Sequence, residues 1–221
     1  MDICLFRETF FNPDRAFRLA NYVCHRTAKP TVGGGTAILV RRGIVHHSVP
    51  VPGLNHLEAI VIQVTFAEKP AIIHACYLLP SPPLIGADVT ACLGGRLPVL
   101  MAGDLNAKHV DWNSRLSTRR EKLVRDDADE NSYLIFGPNT PNTNPYNLSV
   151  TPDVLDIVIT MNLSLPVYLT SCSALISDHL PVLTDAACRS SFQHPPDRPD
   201  YRRTDWASFE THLENQIPFD P

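Results

Sequence analysis

The chain of 221 residues lacks the features that would place it in several large protein classes. It has no apolar run near the roughly 20 residues that a membrane-spanning helix needs, so nothing in it predicts a membrane partner. Its first residues, MDICLFRETF, do not form a secretory leader, because Arg7 and Glu8 interrupt the apolar segment at once. The formal net charge of −4 argues against a protein that holds nucleic acid through basic tails, but not against an enzyme that acts on nucleic acid through acidic metal ligands.

Cysteine is sparse and follows no known ligand pattern. No two of the six cysteines form a C-x-x-C pair, and several lie inside apolar runs such as IIHACYLL. They are Cys4, Cys24, Cys76, Cys92, Cys172 and Cys188. This pattern predicts buried free thiols in a reducing, intracellular compartment, and neither a disulfide scaffold nor a structural zinc site.

Short apolar runs separated by turn residues dominate the chain, which has the length of one sizeable domain. TAILVR, LEAIVIQVTF and VLDIVIT are typical of strands, and VTFAEKPAIIH predicts a hairpin with residues 67–70 as its connection. Helices are predicted at PDRAFRLANYV, LIGADVTACLGG and STRREKLVRDDADENS. The mixture predicts an α/β sandwich of two packed sheets flanked by helices.

The composition changes after Cys188, where Arg, Pro, Asp and Gln take over. The segment YRRTDWASFETHLENQIP predicts a linker followed by a short amphipathic helix. We therefore predict a domain over residues 1–188 and a linker with a helix over residues 189–221. Because MDICLF opens in what reads as a buried strand, we also expect that one preceding strand of the domain is missing from this chain.

Two polar residues follow the apolar strand PVLMAG. Asp104 and Asn106 are two positions apart, which places both side chains on one face of an extended chain. A carboxylate and a carboxamide there could hold a water, with the carboxylate accepting its proton. G-D-x-N is equally a common turn, so the structural interpretation stays open.

Asp156 lies inside the apolar run VLDIVIT, where an unpaired carboxylate would be costly. The stretch SDHLPV places Asp178 and His179 where a strand enters the core. We expect His179 to be the partner of Asp156, because a carboxylate that accepts from one imidazole nitrogen leaves the other nitrogen facing a substrate. Glu8 and Tyr77 each end a strand, where a solvated acid and a core-edge aromatic are the simpler interpretations.

Several of these motifs occur together and in a characteristic order. RET, CYLLPS, GDLNAKH, VLDIVI and SDHLPV resemble the signature of the endonuclease/exonuclease/phosphatase superfamily, which includes apurinic/apyrimidinic endonucleases and pancreatic deoxyribonuclease. GGGTAILVRRGI, GDLNAKHVDWNS and YRRTDWASFETHL resemble the endonuclease domain of non-LTR retrotransposons of the Jockey or R1 kind. The resemblance implies a four-layer α/β sandwich of two packed mixed β-sheets and a nuclear enzyme that nicks DNA. It also implies a reverse transcriptase in the same parent protein, primed by the 3′-hydroxyl of the nick.

The resemblance also assigns roles at a metal and water site. Glu8 would ligate Mg²⁺, or Mn²⁺ in its place, and Asp178 would support the metal. Asp104 would position or deprotonate the attacking water, with Asn106 beside it. These oxygen donors suit a hard divalent cation that offsets charge on a phosphate.

The remaining implied roles concern phosphate and DNA. His179, held by Asp156, would contact the scissile phosphate, and Tyr77 would bind it. Basic side chains that could contact the DNA backbone are Arg41, Lys108, His109, Arg119 and Arg120.

Two alternatives stay open. One is a phosphatase or phosphodiesterase of the same fold that acts on inositol or lipid phosphates. The other is a truncated, inactive domain that only binds nucleic acid, because superfamily members carry an asparagine upstream of the glutamate and nothing precedes Met1 here.

Overall fold

The computed structural model describes residues 1–11, 16–27, 34–66, 69–81, 85–117, 119–146, 149, 151–173, 177–186 and 205–216. Within them the strands are β1 (Ile3–Phe6), β2 (Tyr22–Arg26), β3 (Ala37–Arg41), β4 (His46–Ser48), β5 (Leu57–Phe66), β6 (Lys69–Leu78), β7 (Val99–Asp104), β8 (Leu134–Phe136), β9 (Asp156–Met161), β10 (Tyr168–Ser171) and β11 (Val182–Asp185). The helices are α1 (Gly86–Leu93), α2 (Arg119–Asn131) and α3 (Trp206–Gln216), with a 3₁₀ turn at Val110–Trp112. No helix in these ranges is both long and apolar enough to cross a membrane.

The largest sheet has six strands in the order β4-β5-β6-β7-β9-β8. Only β6 and β7 are parallel neighbours, and α1 forms part of the crossover between them. Strands β5 and β6 form the predicted hairpin, with Phe66 opposite Lys69, so that the connection is residues 67 and 68.

The two faces of this sheet carry separate apolar clusters, because successive side chains of a strand point to opposite faces. On one face Cys76, Met101 and Ile159 pack with α1, α2 and the fully buried Trp112. The other face packs against a second layer, which contains the sheet β1-β3-β2 and the two-stranded sheet β10-β11. The predicted α/β architecture of two packed sheets with flanking helices is confirmed.

Gly103 allows β7 to lie close to β6 just before Asp104. Its φ of +153° is one that other residues rarely adopt, and a Cβ atom there would overlap the backbone carbonyl of Cys76. Glycine is therefore required at position 103, directly before Asp104 at the end of β7.

Three of the four predicted helices are present as α1, α2 and α3. The helix predicted over residues 13–23 is wrong, because residues 16–21 are not helical and Tyr22 begins β2. Val23 lies opposite Val40 of β3, so pairing between β-branched side chains outweighs the local helical pattern. Residues 12–15 and the predicted domain boundary near residue 188 lie outside the described residues.

Candidate active site

Four polar side chains form a row across the large sheet. Glu58 is the Cα partner of Tyr77, Tyr77 of Asp104, and Asp104 of Asp156, so strands β5, β6, β7 and β9 each contribute one residue. Paired residues point to the same face of a sheet, and here that face is the one covered by the second layer. Glu58 also accepts a hydrogen bond of 3.0 Å from the backbone N–H of Gly35, just before β3. We call Glu58, Tyr77, Asp104 and Asp156 the polar row.

Strand β1 of the second layer ends beside this row and delivers Arg7 and Glu8. The Arg7 guanidinium is paired with Asp156, to whose Oδ2 it donates from Nη2 at 3.1 Å, and its Nε lies 3.8 Å from Asp104 Oδ2. Glu8, whose φ is +47°, accepts a hydrogen bond from the Tyr77 hydroxyl. Burial lowers the pKa of Arg7, and the nearby carboxylates of Asp104 and Glu8 oppose that shift.

His179 lies at the edge of the polar row, one-quarter exposed. Its Nδ1 is 2.9 Å from Asp156 Oδ2, and its Nε2 is 4.0 Å from Asp104 Oδ2. Because the carboxylate accepts, Nδ1 carries the proton and donates, which leaves Nε2 toward Asp104. Burial lowers the pKa of His179, and the positive charge of Arg7 lowers it further.

Asn142 connects the long turn-rich loop before β9 to this pair. The side chain is fully buried, and its Nδ2 donates to Asp156 while its Oδ1 accepts from the N–H of Leu155 at 2.9 Å. Its backbone carbonyl accepts from the N–H of Leu180 at 2.6 Å, and Thr143 forms a β-bridge with His179. One loop therefore positions both members of the Asp156–His179 pair.

The geometry around Asp104 differs from that of an extended chain. Asn106 has a left-handed φ of +48°, its N–H donates to Asp104 Oδ1 at 2.6 Å, and its side chain donates to the carbonyl of Leu78 at 2.7 Å. The expectation that both side chains share an extended face is wrong, because the chain turns at Asn106 and closes on the carboxylate. Burial raises the pKa of Asp104, and Arg7 opposes the rise.

Asp178 is exposed at the rim of the site. Its backbone carbonyl accepts from the N–H of Asn144 at 2.6 Å, and Ser177 donates to its carboxylate at 3.3 Å. Its charge is close enough to oppose the lowering of both the Arg7 and the His179 pKa. The structure therefore brings Glu8, Tyr77, Asp104, Asp156, Asp178 and His179 to one rim, with Asn106 supporting Asp104 from behind.

The basic residues named from the sequence do not share one location. Arg41 pairs with Asp2 at 3.4 Å, at the start of β1, while Arg7 and Glu8 follow the end of that strand, roughly 15 Å away. Lys108 lies 3.0 Å from Asp153, and the His109 ring contacts Trp112 and accepts from the N–H of Asp111. The side chains of Arg119 and Arg120, at the start of α2, lie outside the described residues.

Three residues of the site were missed from the sequence. Arg7 was considered only as an interruption of an apolar segment, although a charge directly after a buried strand is itself a signal. Asn142 lies in a loop whose unusual length was the only indication. Glu58 is the only charged residue of β5, and one charge in an otherwise largely apolar strand is also common on half-buried strands.

Comparison with known proteins identifies the family and the fold of this chain. Residues 71–183, just over half of the chain, match the family described as "Endonuclease-reverse transcriptase". The chain is 28% identical over 191 residues to the RNA-directed DNA polymerase from mobile element jockey of Drosophila funebris, covering 84% of this chain and 21% of that protein. The Drosophila melanogaster jockey polymerase is 26% identical over 222 residues, which cover 97% of this chain and 24% of that protein. The chain thus spans about a fifth to a quarter of these relatives.

Solved structures agree on the fold. The endonuclease domain of TRAS1, a telomere-specific non-LTR retrotransposon, matches with a TM-score of 0.67 at 18% identity, covering 83% of this chain and 84% of that one. The 3′-5′ exonuclease NExo from Neisseria meningitidis matches with a TM-score of 0.59 at 16% identity, covering 84% and 89%. The matched segment contains most of β6, all of β7 to β10 and part of β11, and with them Tyr77, Asp104, Asp156 and His179. The chain belongs to the endonuclease-reverse transcriptase family.

Proposed function

We propose that this chain hydrolyses phosphodiester bonds of DNA with the help of a divalent cation and leaves a 3′-hydroxyl at the nick. The observation that carries this proposal is the position of His179, whose Nδ1 is fixed by Asp156 while its Nε2 faces Asp104 across 4.0 Å. This arrangement offers an imidazole nitrogen and a proton-accepting carboxylate to one substrate, at a rim that also carries Glu8 and Tyr77.

The donor set at the rim fits Mg²⁺ or Mn²⁺. Glu8 and Asp178 supply exposed carboxylate oxygens, and Asp104 supplies a buried one. Mg²⁺ is usually held by one or two carboxylates together with waters and substrate phosphates, so a closed protein cage is not needed. Glu8, with Asp178 beside it, would hold the ion, which when bound would neutralise charge on the phosphate and the leaving oxygen.

The remaining roles in the proposed reaction belong to four side chains of the site. Asp104 accepts the proton of the attacking water, and the Asn106 N–H fixes the orientation of its carboxylate. His179 donates from Nε2 to the phosphate, whose negative charge favours the imidazolium and opposes the effect of burial on its pKa. Asp156 orients that ring, and the Tyr77 hydroxyl, which donates to Glu8 in this structure, would donate to the phosphate.

Arg7 keeps the acidic cluster together before substrate arrives. Its guanidinium contacts Asp156 and lies near Asp104, so it offsets repulsion between two carboxylates that lie opposite each other in neighbouring strands. Without this charge the buried pair would tend to take up a proton, and Asp104 could then no longer accept one from water.

The relatives suggest the biological setting. They are RNA-directed DNA polymerases several times longer than this chain. We infer that the nick provides the primer for a reverse transcriptase carried by the same parent protein, and that the protein acts on chromosomal DNA in the nucleus.

A plasmid-nicking assay tests the activity. Supercoiled plasmid is incubated with the chain and Mg²⁺, Mn²⁺ or a chelator, and open circles are then extended by a DNA polymerase with labelled nucleotide. We expect open circles only with a divalent cation, and labelling without prior phosphatase treatment, because the nick ends in a 3′-hydroxyl. Nicks that need phosphatase treatment before extension would contradict the proposed bond cleavage.

Matched histidine variants connect the activity to the site. His179→Ala should abolish nicking, while His47→Ala should keep the parent rate, because His47 is exposed on β4 opposite Gln63 and away from the polar row. Equal activity of both variants would show that a contaminating nuclease or a different site produces the nicks. Release of phosphate from an inositol phosphate, with no nicking, would favour the phosphatase alternative.

A further inference from the structure

Three side chains with metal-binding donors meet on the face of the large sheet opposite the polar row. His74 and Cys76 are two residues apart in β6 and so point to the same side, while Tyr77 points to the other. Cys92 comes from α1, which covers this face. All three are buried, with relative exposures of 3%, 1% and 2%.

Their donor atoms are close enough to share one ion. One nitrogen of His74 and the sulfurs of Cys76 and Cys92 all lie within 4.8 Å of one another, and no other group of three such residues in the described ranges meets this condition. Both thiols are free. The site therefore has three converging donors from two separate elements.

A second, independent observation points to a ligand here, namely an unpaired nitrogen of the His74 imidazole. Its Nδ1 is buried and has no hydrogen-bond partner among the residues that the structure describes. Buried polar atoms are nearly always satisfied, and an unsatisfied one costs about 1–3 kcal/mol. A cation bound together with Cys76 and Cys92 would give the His74 ring a polar partner inside this buried cluster.

We propose that His74, Cys76 and Cys92 bind one thiophilic metal ion, Zn²⁺ or Cu⁺, which links α1 to β6. Thiolate and imidazole are soft or intermediate ligands that select these ions over Mg²⁺, so this site and the rim take different metals. Binding releases the protons of both thiols to solvent and forms two metal–sulfur bonds and one metal–nitrogen bond, with no change of oxidation state. Met101, the register partner of His74 in β7 and a member of the same buried cluster, adds a thioether to this face.

The sequence analysis predicted no structural zinc site from the cysteines, and the proposal departs from that prediction for a structural reason. Zinc motifs are recognised by short ligand spacings, whereas here two ligands lie on a strand and the third on a helix that follows it. The site also does not depend on the proposed nuclease activity, because no residue of the polar row belongs to it.

Metal retention by the full chain tests the proposal. The chain is reduced and stripped of metal under anaerobic conditions, mixed with Zn²⁺ or Cu⁺ in separate arms, desalted against a weak chelator and analysed for metal by mass spectrometry. We expect one equivalent retained in at least one arm, and a thermal midpoint raised by about 5–10 °C at a free metal concentration a hundredfold above Kd. The arm with tighter retention identifies the ion.

Cysteine variants locate the ion. Cys92→Ala and Cys76→Ala should each lose the retained metal, while Cys172→Ala should keep it, because Cys172 lies between β10 and β11, outside the cluster. Retention by Cys92→Ala equal to that of the parent would overturn the proposal, as would less than a tenth of an equivalent in the parent itself.

A spectroscopic measurement on the unaltered chain covers the case in which a variant fails to fold. Cd²⁺ bound at this site should give thiolate charge-transfer absorption in the ultraviolet and a cadmium NMR shift typical of two sulfur ligands. A shift typical of oxygen ligands alone would place the cadmium at the acidic rim and would overturn the assignment to Cys76 and Cys92.

Discussion

Replacing Asp156 with asparagine tests the positioning of His179 separately from folding, because this carboxylate accepts hydrogen bonds from three neighbouring side chains. It accepts from Arg7, from the buried Asn142 and from Nδ1 of His179. Asparagine has nearly the same size, but its amide carries no charge and presents an N–H₂ group to one of these donors. The variant therefore keeps the packing of β9 and loses both the Arg7 pair and the orientation of His179.

The expected loss of stability follows from the burial of Arg7. Removing one partner of a buried ion pair costs about 3–5 kcal/mol. The Arg7 side chain is 20% exposed and keeps Asp104 at 3.8 Å, so we expect a cost below that range, about 2–3 kcal/mol. For a domain of this size that corresponds to a fall in thermal midpoint of about 5–10 °C, which leaves the protein folded at 25 °C.

The expected loss of rate is much larger. A carboxylate that fixes the tautomer of a catalytic histidine contributes up to about 10⁴-fold in the related serine protease arrangement. We therefore expect Asp156→Asn to slow nicking by about 10²–10⁴-fold while DNA binding changes little. Nicking rates at saturating plasmid and binding in the presence of Ca²⁺ measure the two effects separately.

Asp88→Asn is the matched control. Asp88 is also a buried aspartate, and its carboxylate accepts from the N–H groups of Asn55, His56 and Leu57 and from the Asn55 side chain, at 2.9 to 3.1 Å. Losing such bonds to a charged group costs a similar few kcal/mol, but Asp88 lies on α1 and does not contact His179. If both variants nick equally fast at a temperature well below their midpoints, the positioning role of Asp156 is wrong.

Three further predictions follow from single contacts. Gly103→Ala should cost about 3 kcal/mol or more, because the new methyl group meets the Cys76 carbonyl at a φ of +153°, and an unchanged urea midpoint would contradict this. Tyr77→Phe should slow nicking about 100-fold and lower the thermal midpoint by only a few degrees, since it removes one donor at the phosphate and the hydrogen bond to Glu8, and a parent-like rate would exclude the role at the phosphate. Burial alone would raise the pKa of Asp88, but the four hydrogen bonds to its carboxylate outweigh burial and lower this pKa below the unfolded value of about 3.9. The stabilisation from these bonds is therefore complete above the unfolded pKa and is lost as the pH falls through the folded pKa. The stability difference between the parent and Asp88→Asn should therefore narrow between pH 5 and pH 2, and a constant difference in urea unfolding would contradict the shift.

Local signals in the sequence were sufficient for much of the fold. The β5–β6 hairpin, α1 and α2 follow from periodicity and turn residues that lie within about a dozen positions of each other. The contact between Asp156 and His179 could also be predicted, because a carboxylate inside an apolar strand requires a partner and few candidates exist.

Features set by distant pairing could not be predicted in this way. The false helix over residues 13–23 had an acceptable local pattern, and only its pairing with β3 makes Tyr22–Arg26 a strand. Asn142 and Arg7 join the site through a loop and a second sheet whose register no local pattern reveals. The same holds for Cys92, which reaches His74 only after α1 has folded back onto β6.

The order of synthesis has a consequence for the site at the polar row. Arg7 and Glu8 leave the ribosome about 170 residues before His179, a delay of roughly 10–35 s at ordinary elongation rates. Early in that interval β7, which carries Asp104, can already pair with β6. Asn142 and β9 are made later, and His179 is made last. A nascent chain therefore holds an incomplete constellation until residue 179 has been made, and the imidazole arrives last. Under the proposed mechanism, the emerging chain cannot nick nucleic acid before that point.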